Sequence, residues 1–565
     1  MKQFLTVAVA LACSVSVTRA QGTSVKPTTP LPKGWHLLDK EKDGVYGISL
    51  DKAYEFVRSK NLKGKTVVVA VIDSGIDTLH EDLKEILWVN PKEIPGNGID
   101  DDKNGYIDDV HGWNFIGGKD GKNVKVDSYE GARVYHKLKT KYNNKSIDTT
   151  KLSADEKAEY QMWLKAKANI EGSDEDEGVD MVMLKRAYEN CVKADSTLKI
   201  EMAKDIYTGK DLEKFAPATV EGKKSKAMLL GLFKGNNMME TTNKEFVEGF
   251  GEYVSGEERK KEAAEKIPEN YRGNITKDNE ADINDRFYGN NDVMANTPFH
   301  GTHVSGIIAA KRDNNKGIQG IADNVRIMSI RAVPDGDEHD KDVALAIRYA
   351  VDNGAKVINM SFGKSFSPEK KWVDEAVKYA ETKGVLLVHA AGNDAKDVDT
   401  YDNFPNASLK AFKTKASNWI TVGASGDPRS GGITASFSNY GKQEVDVFAP
   451  GVKIYSTVPG GTTYGDAQGT SMASPVVAGT AAFLLTYFPD LTPQQIKFAI
   501  EKSAQMPDIK VSKPGTTETV ELSDISKTGG LLNAYEAAKV AATLKPEKKK
   551  KQALPKSTLK PSKKG

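Results

Sequence analysis

VRIMSIRAV (residues 325–333), KDVALAIRYAVD (341–352), KVINMSF (356–362), PEKKWVDEAVKYAET (368–382) and GVLLVHA (384–390) follow one another with only short connections. The first, third and fifth are short apolar, β-branched runs. The second and fourth repeat their apolar residues with helical period. Strand, helix, strand, helix, strand predicts an α/β fold, a doubly wound and mostly parallel sheet with right-handed crossovers. Upstream, Thr66-Val67-Val68-Val69-Ala70-Val71-Ile72 is a continuous β-branched run suited to a strand covered on both faces. Downstream, Trp419–Ala424 and Val445–Ala449 read as further strands. Pro493–Lys502 and Leu531–Ala542 read as closing helices.

The chain has 565 residues, 39% hydrophobic and 28% charged, and a formal net charge of +2. This is the composition of a soluble globular protein with room for one large core plus additions. No internal run of about 18 apolar residues occurs, so no transmembrane span is expected. Residues 1–20 differ: Lys2 precedes the apolar run Phe4–Ala12, and Thr18-Arg19-Ala20 offers small residues for cleavage. They read as a secretory signal peptide, which places the protein outside the cell or in its envelope, periplasm or outer surface. Cys13 leaves lipid attachment, and with it surface association, open. Cleavage after Ala20 would leave Cys191 as the single thiol, so no internal disulfide is expected. Between Lys545 and Gly565 there are nine Lys and one Glu, interrupted by three Pro. That segment reads as a solvated, disordered tail. No nucleic-acid motif accompanies it.

Asp100-Asp101-Asp102-Lys103-Asn104-Gly105-Tyr106-Ile107-Asp108-Asp109 has the spacing of a calcium loop. Counted from Asp100, oxygen donors fall at positions 1, 3 and 5, a glycine at 6, the Tyr106 carbonyl at 7 and Asp108 at 9. Position 12 is His111 instead of a bidentate Glu, and Asp109 is offered in its place. So many carboxylates would repel one another without a cation, and structural Ca²⁺ is expected at Asp100, Asp102, Asn104, Tyr106, Asp108 and Asp109. Beyond Gly117 the texture turns charged and helical, with a capping box at Ser153–Glu156. It stays so until the α/β pattern resumes.

Three polar residues sit at ends of apolar elements. Asp73 closes the Thr66–Ile72 strand. His300 opens the small-residue helix His300-Gly301-Thr302-His303-Val304-Ser305-Gly306-Ile307. Ser471 lies in Gly469-Thr470-Ser471-Met472-Ala473-Ser474-Pro475, at the mouth of a helix whose dipole and N–H groups suit an oxyanion. Pro475 is placed in the first turn of that helix. Taken alone, Ser471 reads as an ordinary helix cap, and Asp73 reads equally as a turn residue or as a site carboxylate at the end of a buried strand. His300 and His303 lack the Glu of a zinc-binding H-E-x-x-H helix, and Ala473 stands where G-x-S-x-G needs its last Gly.

Val71-Ile72-Asp73-Ser74-Gly75, His300-Gly301-Thr302-His303-Val304 and Gly469–Pro475 resemble, in that order, the three active-site blocks of the subtilisin-like serine peptidases. Val357–Gly363, Ala390-Ala391-Gly392-Asn393 and Phe448-Ala449-Pro450-Gly451 agree with it. The resemblance implies a secreted serine endopeptidase acting on protein or peptide substrates. It implies Ser471 as nucleophile, His300 as base, Asp73 as its orienting carboxylate, and Asn393 with the Ser471 N–H as oxyanion hole. It also implies an extended substrate beside Ser361, Phe362 and Gly363, and makes His303 structural. The division expected is a leader over 1–20, a first peptidase segment with the calcium-type loop over 21–116, and an inserted helical subdomain over 117–285. The main peptidase segment follows over 286–544 and the tail over 545–565. The insertion, which separates Asp73 from His300 by 227 positions, is expected to cap or flank the cleft. A catalytically dead binding protein and a metallohydrolase are the competing classes.

Overall fold

The computed structural model describes residues 31–172, 180–235, 238–239, 241–295, 298–547 and 557–560. The leader predicted over 1–20, with Cys13, lies outside them. The described residues divide into two compact units, one over Gly131–Glu269 and the other over the remainder.

In the larger unit seven strands form one sheet: β1 (Val67–Asp73), β2 (Gly112–Asn114), β3 (Val325–Arg331), β4 (Val357–Met360), β5 (Leu386–Ala390), β6 (Trp419–Ser425) and β7 (Val447–Pro450). They lie in the order β2-β3-β1-β4-β5-β6-β7, and every neighbouring pair is parallel. Helices cover both faces. On one lie α1 (Phe299–Ala309) and α4 (Thr470–Tyr487); on the other lie α2 (Asp340–Asp352) and α3 (Lys370–Lys383). The alternation in β1 shows why its sequence is apolar throughout. Val69 and Val71 join the core with Val304, Ile307, Val476 and Val477, while Ala70 and Ile72 join the core with Ile347, Ala376 and Val377. Because β3 lies on one side of β1 and β4 on the other, the strand order reverses there. A crevice therefore opens at the carboxyl ends of the central strands.

Some elements differ from the sequence reading. The three-residue strand β2 and the hairpin Ile454–Val458/Thr463–Ala467 are too short or too polar to show as apolar runs. Pro475 is the sixth residue of α4, not part of its first turn. The smaller unit is shorter at both ends than the predicted 117–285. Asn114 and Asn290 pair through their backbones, and Arg272 is buried against Asp342 of α2 and Asp278, so both flanks belong to the sheet-bearing unit. Of the predicted disordered tail, 557–560 is docked on that unit. The Thr558 N–H and hydroxyl reach the buried Glu375 carboxylate at 2.7 and 2.8 Å, and Leu559 packs on the core of α2 and α3.

The smaller unit is helical, with Ala154–Glu171, Met181–Met202, Val220–Gly235 and Asn243–Glu265 as its longest elements. Leu184, Cys191, Leu198, Phe233, Phe246 and Phe250 form its core. The Ser153 capping box is present. Cys191 is a free, buried thiol whose pKa burial pushes up to about 12, which leaves it unreactive.

Candidate active site

Asp73 is the last residue of β1 and 2% exposed. Its Oδ1 accepts from the Ser74 N–H at 2.7 Å and from His300 Nδ1 at 2.8 Å. With Nδ1 committed to the carboxylate, Nε2 is the nitrogen left to take a proton. His300 stands in the first turn of α1, and its neighbour Gly301 explains how the helix comes so close. A Cβ at Gly301 would lie 2.0 Å from the Gly75 carbonyl oxygen.

Ser471 is the second residue of α4. Its hydroxyl donates to the Ser361 carbonyl at 3.0 Å, not to His300. Hydrogen bonds of a catalytic hydroxyl are often unmade before substrate arrives. Pro475 has a specific consequence here. It lacks the N–H that would bond the Ser471 carbonyl four residues earlier, and the Ser361 hydroxyl takes that carbonyl at 2.9 Å instead. Asn359 Nδ2 holds the Ser361 hydroxyl, and the Ser474 hydroxyl holds Asn359 Oδ1, both at 2.9 Å. The end of β4 is thus bonded to the first turn of α4 by buried polar groups.

Asn393 follows β5. Its Oδ1 accepts from the Thr470 N–H at 2.8 Å and from the Thr470 hydroxyl at 3.0 Å. Nδ2 is left without a protein acceptor among the described residues, as is the Ser471 N–H. Both nitrogens border one position: a Cβ at Gly469 would lie 3.5 Å from Ser471 N and 3.6 Å from Asn393 Nδ2. Two unspent donors close together beside a hydroxyl are the groups an oxyanion requires.

Residues 64–535 match the Subtilase family. The chain belongs to the subtilase family. A thermophilic serine proteinase of Bacillus sp. (strain AK1) is 43% identical over 218 residues, covering 38% of this subtilase and 48% of that proteinase. Thermitase of Thermoactinomyces vulgaris is 38% identical over 252 residues, covering 44% and 78%. Subtilisin DY of Bacillus licheniformis is 38% identical over 207 residues, covering 36% and 70%. The chain spans about half the length of the first of these and more than two thirds of the other two.

Of the expected substrate-facing residues in this subtilase, Ser361 is buried and Gly363 is exposed. The Phe362 carbonyl is taken by His389 Nε2 at 2.8 Å. His303 is buried, with Nε2 at 3.0 Å from the Ile454 carbonyl, and burial pushes its pKa down to about 3. It stays neutral and joins α1 to the hairpin.

The acidic loop departs from the periodic pattern. Asp100 and Asp102 converge with Glu93, one carboxylate oxygen from each lying within 4.8 Å of the others. Glu93 was not among the expected ligands. The Asp108 carboxylate turns away to the N–H groups of Gly96 and Gly98, at 2.9 and 2.8 Å. Asp109 is buried between Asn90 and Tyr349, and burial pushes its carboxyl up to about 6. Asn104 is held by the same loop: its Nδ2 reaches Asp109 and its Oδ1 accepts the Tyr106 N–H. Glu93 Oε2 is buried without a hydrogen-bond partner. Burial, and then the charges of Asp102, Asp101 and Asp100, raise the Glu93 pKa above the ordinary carboxylate range. An orphaned buried oxygen among three converging carboxylates fits a hard divalent cation.

Proposed function

We propose that this subtilase is a serine endopeptidase, hydrolysing peptide bonds of protein or peptide substrates through an acyl-enzyme. The observation that carries the proposal is the His300–Asp73 bond at the rim where α4 also delivers Ser471. On this reading the hydroxyl turns from the Ser361 carbonyl toward His300 Nε2 and attacks the scissile carbonyl as the imidazole takes its proton. Asp73 holds the ring in the tautomer that leaves Nε2 basic and stabilises the imidazolium. Negative charge develops on the former carbonyl oxygen, where Asn393 Nδ2 and the Ser471 N–H meet it. Losing one such side-chain donor in a subtilisin costs about 10²–10³ in turnover. His300 then returns the proton to the leaving amine, and water repeats the sequence on the acyl-enzyme. A vacated Ser361 carbonyl becomes available to a substrate N–H.

Labelling by a fluorophosphonate, with cleavage-site profiling on a peptide library, tests the assignment. Labelling confined to Ser471 is expected. A folded protein that neither labels nor cleaves would instead be a binding protein on a subtilase scaffold. Export rests on the amino-terminal sequence and is checked by finding the mature protein, begun after Ala20, outside the cytoplasm.

The cation would be held by Glu93, Asp100 and Asp102, and Ca²⁺ suits an all-oxygen site. It would supply neutralising charge that fixes the loop and would take no part in the proton transfers. Removing it with a chelator is expected to lower the melting temperature of Ser471→Ala protein, which cannot digest itself. A cation at about 100 times its Kd adds about 2.7 kcal/mol to stability. Glu93→Gln should shrink the chelator-induced shift. An unchanged melting temperature on chelation and on calcium addition would remove the cation from this loop.

A further inference from the structure

Lys364 follows Gly363 directly, yet its side chain turns inward and is 1% exposed. Its Nζ donates to Glu130 Oε2 at 2.8 Å and to the Glu338 carbonyl at 2.6 Å, and lies 2.9 Å from Asp340 Oδ1. Two of these oxygens accept hydrogen bonds and the third completes an ion pair, all in a buried site. The acceptors are themselves fixed. Asp340 accepts from the Ser367 hydroxyl at 2.9 Å and from the Glu369 N–H at 2.8 Å. The Glu130 N–H donates to Asp337 at 2.9 Å. One buried cation therefore ties together three stretches of chain: the segment ending at Glu130, the loop 337–340, and the residues that continue from β4.

The backbone on either side of Gly363 is held equally firmly. Lys364 exchanges both hydrogen bonds with Phe404, at 2.9 and 2.8 Å. The Phe362 carbonyl is held by His389, whose pKa burial pushes down to about 4, so this anchor keeps its form above that pH. Gly363 lies between these fixed points, exposed, and makes no hydrogen bond among the described residues. A Cβ there would stand 2.4 Å from Asn403 Oδ1, so a larger residue would have to displace that side chain, whose Nδ2 holds the Ala390 and Ala391 carbonyls. A residue fixed on both sides, with its own N–H and C=O unspent, is ready to pair with an extended peptide.

We propose that Lys364 is a positioning residue for substrate, locking the chain so that the Gly363 N–H and C=O face the backbone of an extended peptide. This rests on the serine endopeptidase reading above. Without the ammonium, the buried Asp340 carboxylate would lose its counter-charge, and Glu130 and the Glu338 carbonyl would lose a hydrogen-bond donor. They would move toward water and take the loops on either side of Lys364 with them. Gly363 would lose its fixed orientation, while Asp73, His300 and Ser471, held by other contacts, would keep theirs.

The test compares Lys364→Met and Glu130→Gln with the wild type on two substrates. One is a peptide anilide with four residues on the acyl side; the other is a single-residue ester too short to reach Gly363. For Lys364→Met, the anilide KM is expected to rise about tenfold or more, with kcat and the ester kcat/KM changed less than about threefold. Glu130→Gln should move the anilide KM the same way by less, and it decides the matter if Lys364→Met does not fold. Equal losses on both substrates, a fall in kcat alone, or no change in either variant would overturn the proposal. Failure of the peptidase reading looks different, since the wild type itself would then neither take a fluorophosphonate nor cleave the anilide, and both proposals would fall together.

Discussion

Ser471→Ala is expected to lower kcat on a peptide anilide by about 10⁶-fold, the scale seen when the nucleophile of a subtilisin is removed. Stability should hardly change. The hydroxyl makes one hydrogen bond, to the Ser361 carbonyl at 3.0 Å, and losing such a bond costs about 1 kcal/mol. The carbonyl of the same residue keeps its bond from the Ser361 hydroxyl, so the first turn of α4 stays in register. Steady-state kinetics with active-site titration, alongside a thermal melt, separate the two effects. A variant that melts like the wild type yet retains more than about a hundredth of its turnover would mean the nucleophile lies elsewhere. A variant that loses both activity and fold would say nothing against Ser471 but would contradict the bonding described for α4.

The residues of the candidate site were readable because each lies in a short motif at the end of an apolar element. Asp73 ends a β-branched run, His300 and Ser471 open small-residue helices, and Asn393 follows GVLLVHA. Parallel strands and their crossovers bring such ends to one edge, so spacing along the chain hardly matters. Residues whose roles depend on packing were not readable. Glu93 sits in the turn-rich segment Asn90–Gly98, outside any periodic pattern. That same segment supplies the Gly96 and Gly98 N–H groups that hold the Asp108 carboxylate apart from those of Glu93, Asp100 and Asp102. Lys364 and Arg272 look like ordinary surface charges, since nothing near either in sequence shows that Glu130 and Asp340 enclose the one or that Asp342 joins the nearby Asp278 around the other. The limits of the inserted unit were misplaced for the same reason: the texture is still charged and helical where the chain has already rejoined the larger unit.

Replacing Arg272 should have the largest effect on stability. The side chain is wholly buried, and all five of its N–H groups are used. Nε and Nη2 form a fork on Asp342 at 2.7 Å each; Nη1 reaches Asp278 at 2.8 Å and the Thr276 hydroxyl at 3.3 Å; Nη2 also reaches Asp278 at 3.3 Å. Lys341 bonds to Asp278, and the Tyr288 hydroxyl to Asp342. Arg272→Leu would leave Asp342 in the first turn of α2 with the hydroxyl and helix dipole as its support, and Asp278 with Lys341. Breaking a buried pair by removing one partner costs about 3–5 kcal/mol, because the remaining charge is stranded. The pH dependence follows from Asp278. Burial raises its pKa, but Arg272 and the hydrogen bonds from Arg272 and Lys341 outweigh this and bring it down to about 2. A depressed carboxyl stabilises the fold fully above its unfolded value near 4, and that contribution is lost as pH falls from about 4 to about 2. In the Ser471→Ala background, Arg272→Leu should lower the melting temperature by about 5–10 °C at neutral pH. The gap to the parent should close as the pH is taken toward 2. Lys277→Ala, at an exposed neighbour, should stay within about 0.5 kcal/mol of the parent. If Arg272→Leu melts no lower than that control, the acids it contacts must be neutral or hydrated in the folded protein, and the chain from 270 to 288 would need some other anchor to the larger unit.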